Sequence, residues 1–466
     1  MKRGTVLACV AALVALSFAG SALTAERELS TSVIRELEKS FELDEGNRAL
    51  LNALTNNEIR DLVYNRELYI RHDDLFTHKI ETKGITDQES SGRCWLFAAF
   101  NIMRPAVMKK FEISGFEFSE NHLFFWDKLE KANLFLEAII ETGEADIDDR
   151  ELQTLLRDPV PDGGWWNYAV SLIEKYGAMP KEAMPETKNS SKTRYMNSLL
   201  NGLAREYAVE LREMAAAGSG ESELRERKME MLRVIYRVLA LHLGVPPDEF
   251  EWRYEDKEGE LHADLYTPRS FYEKAVGVDL GEYVTLFDHA AHAYDTHYRI
   301  KYCRNMPGID DMSFVNVEAG RLERYALASV LGGDPVWFAA DVGKENDYDN
   351  GIMAVGMYDY ESLLGVEPSL TKRDRILYRD STPNHAMVFI GVDTKDDEPV
   401  KWLVENSWGT DRGNKGLWSM YDGWFAEYVY AIIVHEKYVP KDVLALFDTK
   451  PLVLPAWDPM RSAFDR

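Results

Sequence analysis

QESSGRCWLFAAF, residues 88–100, places one cysteine at the start of an unusually apolar run. The run continues as CWLFAAFNIMRPAVMKKF, residues 94–111, and is apolar nearly all round. That pattern predicts a buried helix, since a surface helix would carry an apolar stripe and a polar face. Ser90 and Ser91 are expected N-caps and Gly92 permits a tight entry. Pro105 is expected to kink or break the helix. A thiol at a helix N-terminus sits where the partial positive charge of the unpaired N–H groups favours the thiolate. Cys94 therefore has one requirement of a nucleophile. Gln88, upstream, offers a side-chain amide donor. Together with the Cys94 N–H it would make an oxyanion hole.

A thiolate needs a proton acceptor, and the acceptor needs a partner that holds its ring. Of the ten histidines, His385 begins the apolar stretch HAMVFIGV, where a ring can project from a strand end into a cleft. Asn406 follows a second stretch in WLVENSWGT, residues 402–410. An amide oxygen fixes an imidazole tautomer without placing a negative charge beside it. Trp408 would shield that hydrogen bond from water. A cysteine on an apolar helix is by itself commonly a core residue. The quartet Gln88, Cys94, His385 and Asn406 is far more specific than any member.

The rest of the chain bounds the function. It has 466 residues, 45% hydrophobic and 29% charged, with 12% aromatic and a net charge of −25. That length fits two or three packed units, and the composition is that of a globular protein. The negative surface argues against nucleic-acid and anionic-membrane partners. Residues 1–22 read as a secretory signal peptide, with Lys2 and Arg3 before an uncharged run and cleavage after Ala22. Export is therefore expected, to a bacterial periplasm or the extracellular space, with no stable membrane insertion. The three cysteines, Cys9, Cys94 and Cys303, make no disulfide framework; a Cys94–Cys303 bridge stays open. No Cys/His cluster has zinc-site spacing, so no metal or cofactor is expected. Residues 188–330 read as charged helix. From 332 the stretches DPVWFAADV, HAMVFIGVD, VKWLVENSWG, GLWSMYD and YVYAIIVHEKYV read as strands. Helix first and sheet last implies an α+β fold.

The quartet, with SSGRCWLFAAFNIMRP, LFFWDKLEKAN, DGGWW, EKYGAMPKEAMPET, PVWFAADVGK, KWLVENSWG and LPAWDPM, resembles the bleomycin hydrolase / aminopeptidase C family of papain-like cysteine peptidases. The resemblance runs from about residue 70 to 460. It implies a papain-like fold: a helical left domain and a β-barrel-like right domain, with a large helical insertion. The corresponding boundaries are 23–187 for an N-terminal arm and left domain with Cys94, and 188–330 for an oligomerising insertion. Residues 331–447 make the right domain with His385 and Asn406, and 448–466 a tail reaching the cleft. It also implies a homohexamer with inward-facing sites, and peptide substrates. Gly163 and Gly164 resemble the pair that aligns a substrate backbone, with Trp165 and Trp166 lining the subsites or packing behind them. The tail, ending at Arg466, would hold the substrate amine and make an aminopeptidase, although RSAFDR, residues 461–466, departs from the short ending the family implies. An endopeptidase with a displaced tail and an acyl-transfer enzyme are the alternatives. Glu89 is expected to face solvent.

Overall fold

A computed structural model describes residues 28–366 and 369–461. The signal-peptide reading and Arg466 lie outside the described residues. The chain divides into two compact units. Of the described residues, the smaller comprises 28–65 together with 358–366. It holds helices α1 (Thr31–Ser40) and α2 (Glu45–Asn56), capped by the side chains of Ser30 and Asp44. Within it Tyr64 pairs with Tyr358, and Arg60 donates to the Tyr358 hydroxyl at 2.6 Å.

The larger unit carries the site. Its helices are α3 (Cys94–Lys110), α4 (Glu120–Glu141), α5 (Trp166–Tyr176), α6 (Arg194–Ala216) and α7 (Glu221–Leu243). The strand hairpin β1 (Phe250–Glu255) and β2 (Leu261–Tyr266) follows. Then come β3 (Tyr283–Phe287), β4 (Thr296–Ile300), β5 (Ser313–Asn316), α8 (Ala319–Leu331) and β6 (Val336–Ala340). The chain closes with β7 (His385–Lys395), β8 (Glu398–Glu405), β9 (Leu417–Tyr421), β10 (Val429–His435) and β11 (Leu452–Leu454). In the sheet these run β11-β4-β5-β3-β10-β6-β7-β8-β9, extended by short strands at Ile352–Met353 and Asn346–Asp347.

All five stretches read as strands after residue 332 form strands. The segment 188–330 departs from the helical expectation. It is helical to Leu243, but β3, β4 and β5 from its second half join the main sheet. Their pairing explains why they hid: β3 lies against β10, far along the chain. Such strands are stabilised by non-local neighbours more than by their own pattern.

Period-two alternation divides the core. Trp337 and Ala339 of β6 belong to the cluster containing α3, whereas Val336, Phe338 and Ala340 belong to the opposite cluster with α8. On that second face Phe338 stacks on Phe389 at 3.8 Å between ring centroids. The helix α3 lies on the first face, buried from Cys94 to Arg104. Pro105 sits inside it without ending it.

Candidate active site

The helix α3 begins at Cys94, with Arg93 in the cap position and no capping side chain. Ser90 and Ser91 therefore do not cap it. The Ser91 hydroxyl instead donates to the Gln88 carbonyl at 2.6 Å and accepts from Arg93 Nε at 2.9 Å. The consequence is chemical: first-turn N–H groups stay available to the sulfur. The backbone N–H groups of Ala386, Trp95 and Cys94 itself all favour the thiolate. Against them, burial pushes the Cys94 thiol up to about 12.

Ala386 is the second residue of β7 and His385 the first, and both Cys94 and Ala386 belong to the core cluster on the α3 face of the sheet. Antiparallel pairing of β7 with β8 sets Val388 opposite Glu405, which places the start of one strand beside the end of the other. His385 Nε2–H accordingly donates to Asn406 Oδ1 at 2.7 Å. The same oxygen accepts from the Ser407 N–H at 2.7 Å, which fixes the orientation of the amide. With Nε2 carrying the proton, Nδ1 holds the lone pair. Trp408 stacks on the imidazole at 4.5 Å. Burial pushes His385 down to about 4, and the Asn406 bond opposes that shift. Burial thus favours the neutral pair. Moving the thiol proton to His385 keeps the net charge and makes two adjacent opposite charges, an arrangement a dry site strengthens.

Gln88 is held from both ends. Its backbone N–H donates to the Ser407 carbonyl at 2.9 Å, and its Oε1 accepts from the Ser407 hydroxyl at 2.7 Å. One Nε2 hydrogen goes to the Ser91 carbonyl at 2.6 Å. A primary amide has two donors, so this bond uses only one of the two Nε2 hydrogens. Ser407 therefore ties Gln88 to Asn406, a role the sequence reading missed although the residue lies inside ENSWG.

Further missed residues hold the loop before Cys94. Buried Arg93 makes a two-pronged bond to Glu186 at 2.9 and 2.9 Å. Asp162 accepts from the Gly92 N–H at 3.1 Å and pairs with Lys128 at 2.7 Å. These partners are distant in sequence, so no local motif announces them.

Gly164 must be glycine: a Cβ there would lie 2.7 Å from the Trp95 ring and 2.9 Å from Tyr168. Gly163 accepts from Lys131 Nζ at 2.6 Å through its carbonyl. Both glycines line a cavity with Trp165, Tyr168 and Arg461. Trp166 is buried against Tyr283, behind that wall. Beside Trp408 lies a second depression, lined by Asp87, Glu89, Tyr348 and Arg412. Glu89 is exposed, at φ 53°. Buried Cys303 accepts from the Tyr168 hydroxyl.

A helix-borne cysteine, an amide-oriented histidine and a paired amide donor match the Peptidase C1-like family, which covers residues 28–461. The chain belongs to that family. It is 37% identical to aminopeptidase C of Streptococcus thermophilus over 93% of this chain and 98% of that one. It is 39% identical to bleomycin hydrolase of Rattus norvegicus over 88% and 93%. The crystal structure of PepW from Lactobacillus rhamnosis HN001 superposes with a TM-score of 0.90 at 36% identity, over 93% and 98% of the two chains. The fold is papain-like, and the chain is a cysteine peptidase.

Proposed function

We propose that this peptidase removes residues from the free N-termini of peptides. The observation that carries the reading is the course of the C-terminal segment. After β11 pairs with β4, Ala456, Trp457, Pro459 and Arg461 line a cleft together with Arg150, Arg157 and Arg379. Arg461 also lines the cavity of Gly163 and Gly164. A chain segment at that wall limits how far a substrate extends beyond the scissile bond.

In the mechanism, His385 Nδ1 takes the Cys94 proton and the sulfur attacks the scissile carbonyl. The Gln88 amide and the Cys94 N–H receive the developing oxyanion. His385 returns the proton to the leaving amine, then deprotonates the water that hydrolyses the thioester. Asn406 keeps the ring in the tautomer that allows both transfers.

Export after signal cleavage at Ala22 and assembly as a homohexamer belong to the same reading. The first is supported by residues 1–22, the second by likeness to the family. The negative charge supports peptides, not nucleic acid, as partners. Among the described residues no helix is long and apolar enough to cross a membrane.

The test compares two fluorogenic peptides with the same side chain, one with a free α-amine and one N-blocked, with and without a thiol alkylator. Alkylator-sensitive cleavage of the free-amine peptide alone is expected. Equal cleavage of the blocked peptide makes the enzyme an endopeptidase; transfer to an added amine in place of hydrolysis makes it an acyltransferase.

A further inference from the structure

Outside the catalytic cleft, three side chains converge from two distant parts of the chain. His289 and His292 lie in the loop after β3, and Asp458 in the C-terminal segment. One donor atom from each lies within 4.8 Å of the others. We propose that His289, His292 and Asp458 bind a divalent transition-metal ion of the zinc type, which fastens the C-terminal segment to the β3–β4 loop.

The distances argue for an ion between the groups. His289 Nε2 is 3.3 Å from Asp458 Oδ1, and His292 Nε2 is 3.4 Å from Asp458 Oδ2. Both are long for hydrogen bonds, which cluster near ~2.9 Å. Each separation, to a different oxygen of the carboxylate, is about the ~3.3–3.4 Å between two ligands that sit ~2.0–2.1 Å from a shared tetrahedral ion. The two rings stand 4.3 Å apart, inclined by 62°.

The donors are held independently of any ion. The buried Asn316 side chain accepts from the His289 N–H at 2.8 Å and donates to the carbonyls of His289, His292 and Ala293. The Met460 N–H donates to Asp458 Oδ1 at 2.9 Å, which orients the carboxylate. Such support around ligands is characteristic of metal centres. The side chains of His289 and Asp458 are 1% and 5% exposed, whereas that of His292 is 31% exposed. An ion can thus enter past His292, and a water can complete the coordination. Two imidazoles and one carboxylate select zinc, cobalt, nickel or copper over magnesium and calcium, which favour all-oxygen sets. His289 Nδ1 is buried without a hydrogen-bond partner among the described residues. The His289 ring lacks this outer hydrogen bond, an absence that typically costs about 10–100-fold in affinity.

A second cluster, Asp256, Glu260 and His262, lies on the β1–β2 hairpin. It contains an ordinary His262–Asp256 contact of 2.8 Å. It serves as the internal control. Sequence spacing did not reveal the first cluster because its carboxylate comes from Asp458, 166 residues after His292.

The experiment titrates Co²⁺ into the full-length Cys94→Ala protein, which removes the catalytic thiol as a competing ligand. One equivalent should bind with the visible absorption of a low-coordinate cobalt–imidazole site, be displaced by Zn²⁺, and raise Tm. Adding His292→Ala or Asp458→Asn should weaken binding by about tenfold or more, while His262→Ala should leave it unchanged. The metal-free Tm of each variant reports that it is folded. Absence of stoichiometric binding overturns the proposal, as does binding insensitive to His292→Ala or abolished by His262→Ala. The readout is independent of peptidase activity, so it stands or falls separately from the aminopeptidase reading.

Discussion

At the scale of single residues, the catalytic roles proposed for four side chains rest on how they share their hydrogen bonds. Asn406 Oδ1 serves both His385 and the Ser407 N–H, and Ser407 in turn serves Gln88. The oxyanion donor and the imidazole orienter are thus parts of one network, and each is fixed before substrate arrives. Gln88→Ala removes one oxyanion donor and leaves the thiol in place. Its kcat should fall by about 10²–10³-fold. Cys94 should still react with a small alkylator, a combination that separates loss of the oxyanion hole from loss of the nucleophile. The four residues were legible because each lies in a short motif. Ser407 shared a motif and was still overlooked, since a hydroxyl that only holds another side chain has no signature of its own.

At the scale of elements, a buried ion pair and a buried carboxyl bear on how α3 and α4 are held. Arg104 of α3 meets Glu405, the last residue of β8, at 2.6 Å, with both side chains at most 1% exposed. The pair joins the helix that carries Cys94 to the strand that delivers Asn406. Arg104→Met leaves Glu405 buried without its partner and should cost about 3–5 kcal/mol in denaturant unfolding; Arg104→Met with Glu405→Leu should recover most of it. Glu120, the first residue of α4, is a different case. Burial and nearby Glu186 push its carboxyl up to about 8. Because its folded value is above the unfolded one, the contribution to stability is complete below about pH 4.5 and is lost as pH rises through 8. Glu120→Gln should therefore flatten the fall of Tm between about pH 5 and 8. A fall as steep as the parent's would place the titrating group elsewhere. Neither charge was readable from sequence, because each owes its importance to burial among residues far along the chain. The same reason hid β3 and β4, which pair with strands of the C-terminal third, and β5, which pairs with those two. By contrast β6, β7 and β10, buried along nearly their whole length, were plain in their apolar runs.

At the scale of the whole molecule, the sheet-bearing unit carries Cys94 at the start of α3, His385 at the start of β7 and Asn406 just after β8. Cys94 and Cys303 are both buried, yet their surroundings differ. Cys303 packs against Tyr168. Cys94 has the helix start, and the backbone N–H groups of Ala386, Trp95 and Cys94 itself favour its thiolate. The measurement that tests the account most directly is limited iodoacetamide alkylation of the native protein, followed by peptide mass spectrometry and residual activity. One adduct is predicted, on Cys94, rising in step with the loss of peptidase activity, while Cys303 stays unmodified. Full activity in protein alkylated at Cys94, or inactivation that follows modification of Cys303, would contradict it.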